Sequence, residues 1–242
     1  ETKWLFFIGF NRELRSDMGA VEINTVVVCL SPVNGGMEHD ALKLAKTLAD
    51  DGGISTGLVV KAESWLAQQA VDDRLHREVI AFRKYFSLTL IAAFRRFLIE
   101  RRVKNVIFFG TSEIKSLYFS TLSLGINFIV RYGTTMSSSK KDGVHRMLYS
   151  CVNHHVSISQ HLDANVDKII PKSRASNASV IYPSYAFPRV VDRISCEGST
   201  VKILHVGRIS PGKGQLDALF AVAGLKRAGW DFQLMLVGPV ED

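Results

Sequence analysis

The chain has 242 residues, 47% hydrophobic and 22% charged, a balance that suits one or two folded domains and excludes disordered, collagen-like and low-complexity chains. Lys and Arg total 30 against 23 Asp and Glu, a net charge of +7, and the segment from Arg74 to Lys104, with nine basic and two acidic residues, carries the whole excess. The three cysteines, Cys29, Cys151 and Cys196, form neither a CxxC pair nor a zinc spacing, which favours a reducing, cytoplasmic setting.

No run approaches the ~18 apolar residues of a membrane span; the most apolar stretch, Phe86 to Ile99, is broken by Arg95 and Arg96. The run Trp4 to Phe10 is too short to span and no small-residue cleavage site follows it. Glu1 in place of an initiator Met is expected of a processed or trimmed product.

In chain order, residues 1–23 read as an N-terminal extension with one strand at Trp4–Phe10. Asn24 to Leu30 (NTVVVCL) is a continuous apolar run, the pattern of a parallel strand buried on both faces. A turn, Ser31 to Gly36, leads into a helix over Glu38–Asp50 with Ala41, Leu42, Leu44, Ala45 and Leu48 on one stripe, stopped by Gly52-Gly53. Strands follow at Ser55–Val60, Val103–Gly110, Asn127–Arg131, His155–Ser159 and Ser179–Tyr182. Helices are expected over Ser112–Leu124 and, capped by Ser159, over Gln160–Asp167. A polar loop occupies Gly133–Gly143. Strands alternating with helices predict βαβ units and an α/β fold with a Rossmann-like parallel sheet flanked by helices over residues 24–185. Periodicity lapses across 186–199, which reads as a linker. Residues 200–242 then begin a second such domain: strand Val201–Val206, loop Gly207–Gly214, helix Gln215–Ala228, strand Phe232–Val237. One βαβ unit cannot enclose a core, so this second domain is expected to be truncated.

Two loops carry chemistry. Asn34-Gly35-Gly36-Met37-Glu38 joins the first strand to its helix, where glycines admit a ligand to the backbone and the helix N-terminus attracts an anion. A tight turn needing positive φ accounts for the glycines equally well, and the absence of GxGxxG leaves a dinucleotide fingerprint without support. Gly207-Arg208-Ile209-Ser210-Pro211-Gly212-Lys213-Gly214 also lies between a strand and a helix and adds two cations, a bidentate Arg fork and a compact Lys charge, an arrangement suited to a diphosphate. Its spacing also satisfies GxxxxGK, the phosphate loop of nucleoside triphosphatases, but Gly214 stands where that loop needs a Ser or Thr for Mg²⁺. The bland alternative is a surface loop with incidental cations.

Val201 to Gly238 (VKILHVGRISPGKGQLDALFAVAGLKRAGWDFQLMLVG) resembles the opening of the C-terminal domain of family-4 glycosyltransferases of the GT-B fold. Val33 to Leu48 (VNGGMEHDALKLAKTL) is similar to that family's Gly-Gly-x-Glu loop and first helix, and Val156 to Leu162 (VSISQHL) to a late strand and helix of its N-terminal domain. The resemblance implies a GT-B N-terminal, acceptor-side domain followed by the start of the donor-binding domain, with the active site between two Rossmann-like domains. It implies transfer of a sugar from a UDP- or GDP-sugar to a glycan or lipid-linked acceptor, with retention of configuration, no required cofactor and no metal. In the family the residues matching Arg208 and Lys213 hold the donor diphosphate and are the catalytic cations; Gly35, Gly36 and Gly207 complete the nucleotide-sugar site. Tyr132 and Gly133 fall on the acceptor side, where family members commonly carry His-Gly. The family's Glu-x₇-Glu motif would lie beyond Asp242, so the 242-residue piece alone is expected to be inactive.

In the basic segment, Leu75, Val79, Phe82, Phe86, Leu90, Phe94 and Phe97 recur every three or four residues as one apolar stripe. Arg77, Lys84, Arg95 and Arg102 fall near the opposite side if the segment is helical throughout. The bland reading is a core helix, or a broken pair, with a solvated basic face; the sharper one is attraction to anionic lipid headgroups, which would place the protein peripherally on the inner face of the plasma membrane. No nucleic-acid recognition motif is visible, and the aromatics lie on the stripe read as buried. His154 and His155 are strand neighbours pointing to opposite faces, which argues against a shared metal. Two readings from other classes remain: a phosphate-loop nucleotide-binding protein, and a non-enzymatic module held to membrane by residues 74–104.

Overall fold

The computed structural model describes residues 22–51, 54–69, 75–183, 200–238 and 240. The expected strand at Trp4–Phe10 and the linker 186–199 lie outside the described residues. The chain divides into two compact units at residues 184/185.

In the first unit the chain runs β1 (Thr25–Cys29), α1 (Gly36–Asp51), β2 (Thr56–Lys61), α2 (Trp65–Gln68), β3 (His76–Ile80), α3 (Leu88–Glu100), β4 (Asn105–Phe109), α4 (Ile114–Thr121), β5 (Asn127–Tyr132), α5 (Gly143–Tyr149), β6 (His154–Ser157), α6 (Gln160–Ile169) and β7 (Asn177–Val180). The seven strands form one sheet in the order β3-β2-β1-β4-β5-β6-β7, every neighbouring pair parallel.

The apolar run of β1 has the buried environment on both faces that its sequence demands. Val26 and Val28 join a core with Phe94 of α3, Leu117 of α4 and Val166 of α6, whereas Val27 and Cys29 join a second core with Ala41 and Ala45 of α1 and Leu66 of α2. Fully buried Phe94, Phe108 and Phe128 each contribute ~1.5–3 kcal/mol of transfer free energy. Capping sets several helix starts: Ser159 Oγ accepts from Leu162 N at 3.2 Å, as expected from sequence, and Asp142 Oδ1 accepts from His145 N at 3.0 Å to begin α5. Ile23 is buried in the core and its N–H donates to Arg101 O at 2.9 Å.

The continuous helix considered for the basic segment is not what forms. Residues 76–80 are strand β3, residues 81–87 a loop, and only Leu88–Glu100 is helical. The supposed stripe splits accordingly: Leu75, Leu90, Phe94 and Phe97 are buried, but Val79 is 45% and Phe86 49% exposed. The basic residues separate as well. Arg77 lies in β3 and donates to Gln69 O, Lys84 is in the loop, Arg95 donates to Ser120 O and Leu122 O at 3.2 and 2.8 Å, and Arg102 lies past the helix at φ +53°, paired with Glu22 at 2.6 Å. The cause is that β3 is an edge strand, where polar residues such as Arg77 and Glu78 are tolerated and the period of two is blurred.

In the second unit, β8 (Val201–Val206) and β9 (Phe232–Val237) pair in parallel with α7 (Gln215–Arg227) between them in sequence. Both strands keep their expected bounds. Leu204, Val206, Leu216 and Phe220 are exposed.

Candidate functional site

In an open parallel sheet, ligands collect at the carboxyl ends of the strands where the order reverses. Here that point lies between β1 and β4, the strands from which the chain winds outward in opposite directions. The β1–α1 loop on one side of it holds Gly35 and Gly36. Asn34 Oδ1 bonds His39 Nε2 at 2.9 Å, the His39 ring packs on Trp65 with centroids 4.2 Å apart, and His39 N–H donates to Gly35 O at 3.1 Å. The glycines do different things. A Cβ on Gly35 would stand 3.0 Å from Glu38 Oε2, so that position is closed by the carboxylate; around Gly36 nothing lies within 4 Å, and α1 begins there with an open backbone.

Two carboxylates face this point. Glu38 is 2% exposed and Glu113, which precedes α4, is 8% exposed. Burial pushes the Glu113 carboxyl above its ordinary value, while Lys61 at the end of β2 opposes the shift. Both carboxylates act on Cys29 at the end of β1: burial pushes its thiol up to about 12, and the charges of Glu38 and Glu113 act in the same direction. Asp40 of α1 pairs with Arg131 of β5 at 3.0 Å, and the Arg131 guanidinium lies 4.9 Å from the centre of the Phe109 ring, locking helix to sheet beside the crevice. Buried carboxylates at a strand terminus are hydrogen-bond acceptors suited to hydroxyl groups. Glu113 and Lys61 were not singled out from sequence; the available signal was the strand-to-helix position of Thr111-Ser112-Glu113, the same place that drew attention to Gly35.

Tyr132 is turned the other way. It is buried in the core with its hydroxyl 2.8 Å from Nδ1 of His155, whereas Gly133 is exposed at the end of β5. His154 and His155 point to opposite faces as expected, His154 Nε2 reaching Ser179 Oγ at 2.9 Å.

The Gly207–Gly214 loop of the second unit is shaped by backbone. Gly212 and Gly214 adopt φ +86° and +79°, and Gly214 is the residue from which α7 starts. A Ser or Thr at Gly214, as a phosphate loop would require, would be strained there. Gln215 Nε2 donates to Arg208 O at 2.7 Å, His205 Nε2 bonds Lys213 O at 3.1 Å, and Gly207 N–H donates to Val237 O at 2.9 Å. Arg208 and Lys213 are thereby held at the two ends of one loop beside a helix N-terminus, a setting that favours an anion. Among the described residues no group of three or more His, Cys, Asp or Glu could hold a metal ion, and no helix is long and apolar enough to cross a membrane.

No protein-family model matches the chain, and no curated protein does. Solved structures match its fold. A glycosyltransferase from Rickettsia africae superposes with a TM-score of 0.69 at 15% identity, covering 90% of this chain and 60% of that one. HepE of Anabaena in complex with UDP and glucose gives 0.68 at 16%, covering 91% and 62%. The lipopolysaccharide outer core galactosyltransferase WaaB gives 0.60 at 16%, covering 89% and 60%. The chain thus spans about three fifths of the length of the structures it matches. Its fold is the Rossmann-like α/β fold of GT-B glycosyltransferases.

Proposed function

We propose that the chain belongs to a nucleotide-sugar-dependent glycosyltransferase of the hexosyltransferase type, resembling family 4. It would move a sugar with retention of configuration from a UDP- or GDP-sugar to a glycan or lipid-linked acceptor in cell-surface polysaccharide or glycolipid synthesis. The observation that carries this reading is the Gly207–Gly214 loop, which turns through two left-handed glycines into α7 and bears Arg208 and Lys213. The neighbours support it by fold and by what they hold: HepE was solved with UDP and with UDP-glucose.

Breaking the bond between the sugar and the diphosphate builds negative charge on the departing phosphate. With the loop backbone held, Arg208, Lys213 and the first amides of α7 meet that charge as it develops, and so stabilise the transition state more than the ground state. The leaving group is then held without a metal or other cofactor. In the first unit the crevice with Glu38 and Glu113 receives the acceptor hydroxyl, Gly35 and Gly36 belong to the nucleotide-sugar site and Gly133 lies in a surrounding turn; the Tyr132 hydroxyl is engaged by His155, so its part on the acceptor side is to support the turn that Gly133 begins. The protein works in the cytoplasm, peripherally at the inner face of the plasma membrane, attracted through those basic residues of 74–104 that the fold leaves exposed, Arg83 and Lys84 among them.

Arg208→Ala and Lys213→Ala in the full-length protein test the reading. Each should weaken UDP binding and lower transfer by ~10²–10³-fold, the size of losing one preorganised donor, with an unchanged circular dichroism spectrum. UDP affinity and transfer at the wild-type level in both variants would remove the role assigned to this loop.

A further inference from the structure

We propose that the cavity at the carboxyl ends of β2 and β3 binds a phosphate group carried by the acceptor substrate, Lys61, Arg83 and Lys84 supplying the charge. This rests on the glycosyltransferase reading and names a feature of the acceptor that the reading leaves open. The cavity has a volume of about 780 Å³, within the range of small-molecule sites and large enough for a phosphate with a sugar attached.

Among the described residues of the basic segment, several cations have structural uses and two of the others line this cavity. Arg77 is engaged by Gln69 O, Arg95 by the carbonyls of Ser120 and Leu122, Arg96 by Glu100 at 3.9 Å and Arg102 by Glu22. Arg101 and Lys104 lie past the far end of α3, at the amino end of the central strand β4. Arg83 and Lys84 remain in the loop between β3 and α3, where they line the cavity with Lys61. Glu63 also lines it, so three cations share one carboxylate and the cavity carries a net positive charge. Lys61 is held by its own packing, its ammonium 5.0 Å from the centre of the Phe82 ring, and so presents a fixed charge.

Two hydroxyl residues complete the set. The first turn of α3, thirteen residues long and capped by Ser87, borders the cavity through Ser87 and Thr89, and a helix start favours an anion. An Arg fork with two ammonium groups and a hydroxyl suits the tetrahedral oxygens of a phosphate ester better than the flat edge of a neutral sugar. The cavity also adjoins the crevice, because β2 lies beside β1 and Lys61 acts electrostatically on Glu113. One acceptor molecule can therefore place its phosphate in the cavity and a hydroxyl at the carboxylates.

A soluble sugar phosphate and a lipid headgroup offer the same chemistry, and two arms separate them. Titration calorimetry of the full chain with glucose 6-phosphate, glucose and UDP is compared for wild type and Arg83→Gln/Lys84→Gln, two exposed loop positions. Co-sedimentation with phosphatidylglycerol and with phosphatidylcholine vesicles forms the second arm. Glucose 6-phosphate binding, absent for glucose and weakened about tenfold or more in the double variant, assigns a soluble phosphate ester. Retention by phosphatidylglycerol alone, lost in the same variant, assigns a lipid headgroup. UDP affinity stays within about twofold of wild type throughout. The proposal is overturned if neither probe depends on Arg83 and Lys84, or if glucose binds as well as its phosphate. Loss of UDP binding in the wild type would instead count against the glycosyltransferase reading and leave the cavity's anion preference standing.

Discussion

The Tyr132 hydroxyl and the Nδ1 atom of His155 lie 2.8 Å apart, and the two rings stack at 8° with centroids separated by 5.8 Å. They sit on neighbouring strands, β5 and β6, and both are buried. With the hydroxyl donating, the imidazole proton resides on Nε2, which has no protein partner among the described residues. Burial lowers the His155 pKa from 6.5 to about 4, with Lys172 and His154 adding to the effect, so the ring is neutral at neutral pH.

A base whose folded pKa lies below its unfolded value costs stability on acidification. The unfolded chain takes up the proton first, so the first unit should lose up to ~3 kcal/mol as pH falls from about 6.5 to about 4. His155→Gln should flatten that slope in thermal melts across the same range. Tyr132→Phe leaves the imidazole without its remaining partner and should cost ~1–3 kcal/mol at pH 7, with Tm falling about 2–4 °C per kcal/mol. A Tyr132→Phe protein as stable as wild type would show that the bond contributes nothing net.

Tyr132 also shows where a sequence reading reaches its limit. The βαβ alternation, the β1 run and the strand-to-helix loops were legible because each rests on local pattern: apolar runs for strands buried on both faces, glycines and caps at turns. Phe128, Val130 and Tyr132 alternate on one face of β5, a period-two signal that assigns Tyr132 to the core, but matching it to a functional family position drew it to the surface. Strand β3 was missed because Leu75, Val79 and Phe82 fall at helical spacing by coincidence, and an edge strand with Arg77 and Glu78 offers no counter-signal. Helix α5 is only seven residues long, too short for a periodicity. Glu113 and Lys61 meet because β2 and β4 flank β1, a neighbourhood that sequence distance conceals.

Glu113 yields a prediction with the opposite sign. Its carboxyl is raised by burial, so ionisation is less favourable in the folded state than in the unfolded one. Stability at this position is intact below the unfolded value of about 4.3 and declines as pH rises through the higher folded value. Glu113→Gln removes the ionisation while keeping the shape. The variant should melt above wild type at pH 7, with the gap closing as pH is lowered toward about 4, and it should lose transfer activity because the crevice no longer presents a carboxylate. Equal Tm differences at all pH values would show that the carboxyl titrates normally.

Gly238 gives the sharpest steric prediction in the second unit. It follows β9 at φ +158°, and a Cβ there would stand 1.9 Å from the carbonyl oxygen of Gly207 and 2.6 Å from its carbon. Both neighbours are backbone, so no side-chain rotation can relieve the contact. Gly238→Ala must push the ends of β8 and β9 apart or break the 2.9 Å bond from Gly207 N–H to Val237 O, at a cost of ~1–3 kcal/mol of local strain. Because Arg208 is the next residue after Gly207, the displacement should reach the Gly207–Gly214 loop. UDP affinity in the full-length protein should fall about tenfold or more, while the melting transition of the first unit stays put. Gly224→Ala is the matched control: it lies inside α7 with nothing within 4 Å of its Cβ position, and the change should stabilise the helix by ~0.5–1 kcal/mol. If Gly238→Ala bound UDP as tightly as Gly224→Ala, the close approach of Gly238 to Gly207 would have no bearing on the loop.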